Sequence, residues 1–347
     1  MKIKFDAEKF AEEIATVRKY VGRGLHNAVL LDATHGNLQL RATGGGINLR
    51  MASEATVEGL EMVVMSQDGF NVLAGYTGET TVTTSGNKAH LVGSMDLELN
   101  LLSVPPDVFD FPVGACAMQG VPPEFSKLMY AQGDPNQFRN VLWIDGDIAA
   151  CNNRERFAIY KADRSLYDGQ VAIRTDYAKL MAGGMFGLSN NRAWYEMGDV
   201  ELTFPLMGDT PLGVTSYMAG RPGDYSMQTI AEVHIPRQSL IMALSVMCIL
   251  SESAEDRKAG VTISFGNPLT IYASGNELGR GDTQLPADHH GEVFDINMSS
   301  KYLLEALTQI ETEDVYMQVR NIRTDRYDNK MLVLVDEPIT HVILPRA

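Results

Sequence analysis

The chain has 347 residues, of which 45% are hydrophobic and 21% are charged, and its formal net charge is −15. This composition is typical of a soluble globular protein, and the length predicts two or three domains. The acidic balance argues against a protein that coats nucleic acid with a general basic surface, although it leaves room for a local basic face. The absence of any run of about 18 apolar residues excludes a transmembrane helix.

The opening of the chain and its cysteines indicate a cytoplasmic location. The first residues, MKIKFDAEKF, include five charged side chains and no apolar run, so we expect no signal peptide. Cys116, Cys151 and Cys248 are odd in number and widely separated. Buried, reduced thiols are therefore expected.

Taken in chain order, the predicted elements form a pattern that occurs three times. Each copy opens with an amphipathic stretch, and the three stretches begin at Phe5, Val121 and Ile235. A β-like run follows that reaches Ala and a small polar residue and then breaks into Gly or Asn. These runs are LQLRATGGG from Leu38, DIAACNNRERFAIY from Asp147 and LTIYASGNELGRG from Leu269. Such regular recurrence indicates an internally repeated fold.

A second helix is predicted in each copy, after a β-like lead-in and an Asp or Ser suited to cap a helix N-terminus. The three segments are VMSQDGFNVLAGY from Val64, AIRTDYAKLMAGG from Ala172 and DINMSSKYLLEAL from Asp295. The sequence between the helices alternates or is rich in β-branched residues, which predicts antiparallel strands. The pattern predicts an α+β fold of three domains, 1–115, 116–230 and 231–347, each with two helices on one face of a sheet.

With these segments located, the chain resembles the bacterial sliding clamp, the beta subunit of DNA polymerase III, over essentially its whole length. The stretches that carry the resemblance are the opening FAEEIATVRKYVGRG, DVFDFP (Asp107–Pro112), RPGDYSMQTI (Arg221–Ile230), NMSSKYLLEALTQIETEDVYMQV (Asn297–Val319) and the ending THVILPRA. The loop CNNRERFA (Cys151–Ala158) and the last four residues depart from the family pattern. A divergent copy, such as one carried by a phage or plasmid, would fit these departures.

The resemblance implies a ring of six domains, formed by two chains head to tail, that encloses duplex DNA. Sequence-independent phosphate contacts would let such a ring slide, and no catalytic group, cofactor or metal is needed. It also implies a processivity factor that holds the replicative DNA polymerase, is placed on DNA by a clamp loader and has no membrane contact. The residues expected to face the DNA are Arg18, Lys19, Arg23, Lys127, Gln137, Arg139, Arg174, Lys179, Arg237 and Lys301.

The charge of the predicted helices tests how strongly such a ring would attract DNA. The six helical stretches (5–24, 67–76, 122–132, 174–184, 236–253 and 300–312) hold nine Lys and Arg against ten Asp and Glu, so they are near neutral. Weak equilibrium attraction for DNA is therefore expected.

The resemblance also implies an apolar cleft, between the second and third domains, that binds a short linear peptide of a partner. Such a cleft needs apolar pockets and a few polar anchors. The residues at matching places are Arg156, Phe157, Val342, Leu344 and Pro345.

Two alternatives stay open. One is a clamp-shaped interaction protein that binds partner peptides but has lost DNA tethering. The other is a metal-dependent hydrolase using His289 and His290, although neighbours on a strand point to opposite faces and no companion ligands with suitable spacing are found. The glycine run Gly44–Arg50 lacks the pattern of a nucleotide-binding loop.

Overall fold

The computed structural model describes residues 1–22, 27–112, 114, 116–132, 140–153, 155–189, 191–207, 226–252, 260–275, 279–323 and 328–345. Contacts within the chain divide it into two compact units. The first unit is Met1–Pro122 with Leu180–Leu206, and the second is Pro123–Lys179 with Met207–Ala347. Among the described residues, no helix is long and apolar enough to cross a membrane.

The same order of elements occurs three times. The first repeat comprises β1 (Lys2–Asp6), α1 (Ala7–Val21), β2 (Ala28–Asp32), β3 (Gln39–Gly44), β4 (Ile47–Ala52), β5 (Thr56–Glu58), β6 (Met62–Ser66), α2 (Gln67–Val72), β7 (Glu79–Ser85), β8 (Lys88–Val92) and β9 (Asp96–Asn100). The second comprises β10 (Gln119–Gly120), α3 (Glu124–Leu128), β11 (Val141–Gly146), β12 (Ile148–Asn152), β13 (Arg156–Lys161), β14 (Tyr167–Arg174), α4 (Thr175–Ala178), β15 (Met185–Ser189), β16 (Arg192–Met197) and β17 (Val200–Pro205). The third comprises β18 (Ser226–Pro236), α5 (Arg237–Glu252), β19 (Val261–Phe265), β20 (Leu269–Gly275), β21 (Gly279–Leu285), β22 (Asp288–Gly291), β23 (Phe294–Met298), α6 (Ser300–Leu307), β24 (Asp314–Arg323), β25 (Asp328–Asp336) and β26 (Ile339–Ile343).

The helices follow the local signals of the sequence. Phe10, Ile14, Val17 and Val21 are buried on one face of α1, as their spacing predicts. The expected side-chain caps are confirmed for α2, where Ser66 accepts from the Gly69 N–H, and for α6, where Ser299 accepts from the Tyr302 N–H. The expected cap of the second copy is wrong, because Arg174 occupies the N-cap of α4 and Asp176 lies inside its first turn.

The three runs ending in Gly or Asn each contain the first strand of a hairpin. These hairpins are β3–β4, β12–β13 and β20–β21. The first turns through Gly45 and Gly46, whose φ angles of 59° and 87° suit a tight two-residue loop that most other residues would strain. The repeated motif of the sequence therefore marks a repeated pair of strands.

The strands of each repeat form two groups of four with the same internal order. The first groups are β6-β2-β3-β4, β14-β11-β12-β13 and β23-β19-β20-β21, and the second groups are β1-β7-β8-β9, β10-β15-β16-β17 and β18-β24-β25-β26. This recurrence confirms the predicted α+β fold of repeated domains.

Two strand pairs join groups from successive repeats into larger sheets. In the first unit β17 pairs with β4 and completes an eight-stranded sheet, and in the second unit β13 pairs with β26 and completes a nine-stranded sheet. The middle repeat thus contributes strands to both units. The predicted domain boundaries, 1–115, 116–230 and 231–347, stay a prediction.

The largest hydrophobic core of the second unit defines two faces of the nine-stranded sheet. Side chains of α5 and α6 pack there against alternate residues of the strands. The helix residues include Leu240, Leu244, Leu303 and Leu307, and the strand residues include Val315, Met317, Val319, Leu334 and Ile343. We call this helix-covered side the inner face and the opposite side the outer face. Because strand neighbours alternate, the residues between those core positions point to the outer face.

Candidate functional site

Pairing of β13 with β26 brings the predicted cleft residues together. Phe157 is directly opposite Val342, and Arg156 is opposite Ile343. The Leu344 N–H extends the pairing by donating to the Glu155 carbonyl at 2.7 Å. Pro345 follows and is half-buried. Two predicted segments that are remote in sequence therefore form one local structure.

On the outer face these strands carry an apolar cluster. Phe157 and Val342 pack there with other buried residues, and Leu344 lies partly buried at the margin. The members used below, which we call the apolar patch, are Trp143, Phe157, Met331, Val333, Val342 and Leu344. Leu344 is half-buried, whereas the other five members are at most 4% exposed, so Leu344 is the member that a peptide could contact directly.

Arg156 points away from this patch, because neighbours on a strand alternate between faces. On the inner face its guanidinium forms an ion pair with Glu305 of α6, and its side chain is 9% exposed. It lies over the rings of Tyr130 and Tyr302, at 5.1 and 4.4 Å from their centroids. Arg156 and Phe157 are therefore adjacent in the chain but lie on opposite sides of the sheet. Its role in peptide binding stays a prediction.

His341 completes the buried polar group around Arg156. The side chain is fully buried, and its Nδ1 lies 2.9 Å from the Tyr130 hydroxyl. Burial, with a smaller contribution from nearby Lys127, lowers the pKa of His341 to about 4, so the ring is neutral near pH 7. Burial also raises the pKa of Tyr130, which keeps its hydroxyl protonated.

Sequence reasoning missed the partners of Arg156, namely Tyr130, Tyr302, Glu305 and His341. The alternation along β13 and β26 could have separated Arg156 and His341 from Phe157 and Val342 once both strands were assigned. It could not have named the helix residues that meet them, because those contacts depend on long-range packing.

Most of the residues predicted to face DNA lie at helix ends. Arg18 and Lys19 occupy the last turn of α1, Lys127 the last turn of α3, Arg174 the N-cap of α4, Arg237 the start of α5 and Lys301 the first turn of α6, while Lys179 directly follows α4. Arg23, Gln137 and Arg139 lie outside the described residues. The contact of these residues with DNA stays a prediction.

These cations differ in how far acidic neighbours neutralise them. The Lys127 ammonium lies 3.0 Å from Glu311, and the Arg174 guanidinium lies 2.9 Å from Asp176. Arg18, Lys19, Lys179 and Lys301 are exposed, and across the described ranges no carboxylate lies within ion-pair distance of them. Among the predicted residues that the structure describes, these four are the exposed cations without such a neighbour, and Arg237 is half-buried with no carboxylate at that distance.

The candidate histidines for metal binding are neighbours on β22. His290 lies 3.3 Å from Asp288, while His289 Nε2 lies 3.1 Å from the carbonyl of Glu292. In the part of the chain that the structure describes, no group of three His, Cys, Asp or Glu residues could hold a metal ion. The hydrolase hypothesis therefore gains no support from these residues.

Comparison with known proteins identifies the class of fold. The sequence family "DNA polymerase III beta subunit, C-terminal domain" matches residues 227–345. The beta sliding clamp of Synechocystis sp. is 26% identical over 133 residues, an alignment that spans 38% of this chain and 32% of that relative. Among solved structures, a putative DNA polymerase III beta subunit from Eubacterium rectale has a TM-score of 0.80 at 13% identity, covering 100% of this chain and 99% of the other. The DNA polymerase sliding clamp of Bacillus subtilis has a TM-score of 0.78 at 16% identity, with the same coverage.

The chain therefore has the fold of the DNA polymerase III beta subunit over its full length, and the resemblance found in the sequence is confirmed. The match to the family of that subunit's C-terminal domain covers residues 227–345, which contain α5, α6 and the C-terminal side of the apolar patch.

Proposed function

We propose that the protein is a DNA sliding clamp, a processivity factor that encircles duplex DNA and tethers a replicative polymerase. The observation that carries the proposal is the pattern of sheet junctions. Two junctions, β17–β4 and β13–β26, are formed within the chain. In each, the last strand of a repeat's second group pairs with the last strand of the first group of the preceding repeat. The same pattern leaves one edge of each kind for a second copy.

The two remaining edges are β9 of the first repeat and β21 of the third. They end the five-stranded sheet β5-β1-β7-β8-β9 and the four-stranded sheet β21-β20-β19-β23. In the repeat, β9 corresponds to β17 and β26, while β21 corresponds to β4 and β13. Pairing β9 of one copy with β21 of another would join two chains head to tail, and two such junctions would close a ring of six repeats.

An exposed apolar stripe on α5 supports this junction. Met242, Val246 and Ile249 are 59%, 56% and 62% exposed and follow one face of the helix. At the filled junction of the second unit, the helical region of the second repeat, through Tyr130, meets α6 of the third. By the same logic α5 of one copy would meet α2 of its partner, where Val72 is exposed. Apolar surface of this kind is typical of an interface.

Solution mass tests the ring directly. We expect light scattering to give twice the chain mass of 38.1 kDa. Val246→Glu should yield monomers, because it places a charge in the apolar stripe. The matched control is Val293→Glu, since Val293 is 74% exposed but lies away from both edges, between β22 and β23. A wild-type protein that stays monomeric at micromolar concentration would contradict the ring.

Enclosure explains how a chain of net charge −15 can stay on DNA. The available cations are few, so phosphate contacts alone would hold duplex weakly and would weaken further with salt. A closed ring needs no specific base contact and no catalytic step. Escape then requires opening a protein interface rather than breaking phosphate contacts.

The experiment that tests enclosure is gel filtration of protein loaded on nicked circular DNA by a clamp loader, before and after the circle is linearised. We expect retention on circles and loss from linear DNA, with retention on circles much less salt-sensitive than affinity for a short duplex. Replacing Lys179 and Lys301 by Ala should reduce duplex affinity more than retention of loaded rings. Equal retention on both DNA forms would contradict enclosure. Failure of every loader to place the protein on circles would favour the alternative of a clamp-shaped peptide-binding protein.

The apolar patch supplies the tethering surface of the proposal. A short peptide of the polymerase or the clamp loader would place its apolar side chains against Leu344, at the margin of the cluster that Phe157 and Val342 form beneath it. The same surface would serve each partner in turn, because a linear peptide needs only a local match.

A further inference from the structure

The outer face of the nine-stranded sheet changes character beside the apolar patch. Val342 is opposite Val333 on β25, and Val333 is opposite Gln318 on β24. The next residue across is Glu232 on β18, which is opposite Gln318. The patch therefore borders a polar row on the same face, one strand beyond Val333.

Arg320 lies beside this row on the same face, and a network of hydrogen bonds holds it there. Arg320 Nε donates to the Gln318 Oε1 at 2.9 Å. The Gln318 amide in turn donates to the Tyr316 hydroxyl at 2.8 Å and to the Glu232 carboxylate at 3.2 Å. Because Gln318 is held from both ends, its carbonyl oxygen is aimed at Arg320 and limits the positions of the guanidinium.

Arg320 is a half-buried cation, and the nearby Glu232 carboxylate, which does not reach ion-pair distance, offsets only part of the effect of burial on its pKa. Burial lowers its pKa, which reports that its charge is partly removed from water. Over the described ranges no carboxylate lies within ion-pair distance of Arg320, and its Nη1 donates no hydrogen bond. A planar guanidinium held beside an apolar surface is suited to recognise a carboxylate.

We propose that Arg320 is a specificity residue that binds an Asp or Glu side chain of the partner peptide whose apolar side chains contact Leu344 at the margin of the apolar patch. The inference rests on the proposed function of that patch. Two strand spacings separate β26 from β24, about 10 Å, which an extended peptide covers in about three residues. The acidic residue should therefore lie about three positions from the apolar anchor.

A peptide carboxylate fits this position better than the phosphates of DNA. Arg320 is on the outer face, whereas α5 and α6, which carry Arg237 and Lys301, pack on the inner face. Glu232 also lies nearby, bound to Gln318, and would repel a polyanion more strongly than a single carboxylate.

The test uses pairs of synthetic fluorescent peptides that carry two adjacent apolar residues as an anchor and, three residues away, either Asp or Asn. Fluorescence anisotropy would give the dissociation constants for the wild type, Arg320→Gln, Arg320→Glu and Lys330→Gln. Lys330 is the matched control, because it is a half-buried cation of the adjacent strand that points to the inner face over the Phe294 ring. We expect the wild type and Lys330→Gln to bind the Asp peptide about tenfold more tightly than the Asn peptide.

Arg320→Gln should abolish this preference, and Arg320→Glu should instead favour a third peptide with Lys at the same position. An Asp preference that survives in Arg320→Gln would overturn the inference, while anchor-dependent binding would still support the proposed cleft. Loss of duplex affinity in Arg320→Gln with an unchanged peptide preference would also overturn it and would assign Arg320 to a nucleic-acid surface. If the wild type binds none of the peptides, the inference falls with the cleft, while the ring tests by mass and circular DNA stand independently.

Discussion

Both filled sheet junctions are formed by antiparallel strand pairing, but the side chains at the two junctions differ. At β17–β4, Arg50 is directly opposite Glu201, and the two side chains form an ion pair while remaining 36% and 35% exposed. At β13–β26, Arg156 is almost fully buried and reaches out of the sheet to Glu305 on α6. Strand pairing alone is enough to join two repeats. At the second junction the buried Arg156 also needs a partner, and its ion pair with Glu305 connects β13 to α6.

The difference extends to the two faces of the second junction. Its outer face carries the apolar patch, and its inner face carries Arg156, His341 and Tyr130. A polar group packed beneath the patch constrains the strands that present it, because Arg156 must keep Glu305 and Tyr130 must keep His341 Nδ1, although Arg156 Nε and His341 Nε2 have no hydrogen-bond partner among the described residues. We infer that the first junction connects repeats, whereas the second both connects repeats and holds a binding surface in place.

The largest effect should come from removing the buried Arg156. Arg156→Ala removes a buried cation from two tyrosine rings and from Glu305, which is itself 37% exposed, so we expect a loss of about 3 kcal/mol in the free energy of unfolding, mainly from lost packing and cation–π contacts. Urea denaturation, followed by a probe of the second unit, would measure it. The double variant Arg156→Met with Glu305→Gln should recover part of the loss, because it leaves no unpaired charge. A loss below about 1 kcal/mol would show that the two junctions do not differ in the proposed way.

The next largest effect should be a pH dependence of stability that comes from the second junction, through His341. In the unfolded chain His341 takes up a proton near its ordinary pKa of 6.5, whereas burial lowers the folded pKa to about 4. Its contribution is therefore complete above pH 6.5 and is lost as the pH falls towards 4. The loss at pH 4 should be about 3 kcal/mol. Urea midpoints of the wild type and His341→Gln at pH 7.5, 6 and 5 would measure it. The variant should be less stable at pH 7.5 but lose less stability on acidification, and parallel curves would contradict the assignment.

A smaller effect is expected on binding by the patch. Leu344→Ala removes a side chain at the patch margin and should weaken binding of an apolar partner peptide by about 1–2 kcal/mol. Isothermal titration calorimetry would measure it, with unfolding checked in parallel. Leu344 is a cleaner probe than Phe157, because Phe157 is only 4% exposed and its removal would also destabilise the core. Unchanged affinity would remove Leu344 from the site.

Local signals predicted much of this fold, and long-range register decided the rest. The runs that break into Gly or Asn predicted a repeated fold, and the first of them turns through two glycines at positive φ, which is a local requirement. The pairing of Phe157 with Val342 joins strands from different repeats, and only the resemblance to a known family placed them together. The network of Arg320 had no local signal, since Glu232 and Gln318 meet only when β18 pairs with β24. The ion pair of Lys127 with Glu311 likewise joins residues that are remote in sequence, whereas that of Arg174 with Asp176 is local.

The smallest predicted effect concerns the exposed junction. Arg50→Ala removes a partly solvated cation from Glu201 and from the Phe111 ring, whose centroid lies 4.7 Å from the guanidinium carbon. Solvent screens such a pair and both side chains lose freedom in forming it, so the loss should be below about 1 kcal/mol. A double-mutant cycle with Glu201→Ala would isolate the pair from the cation–π contact, and raising the salt concentration should shrink the coupling further. A coupling as large as that between Arg156 and Glu305 would mean that exposure does not distinguish the junctions. The buried tyrosines and His341, rather than the burial of the charge, would then have to account for the difference.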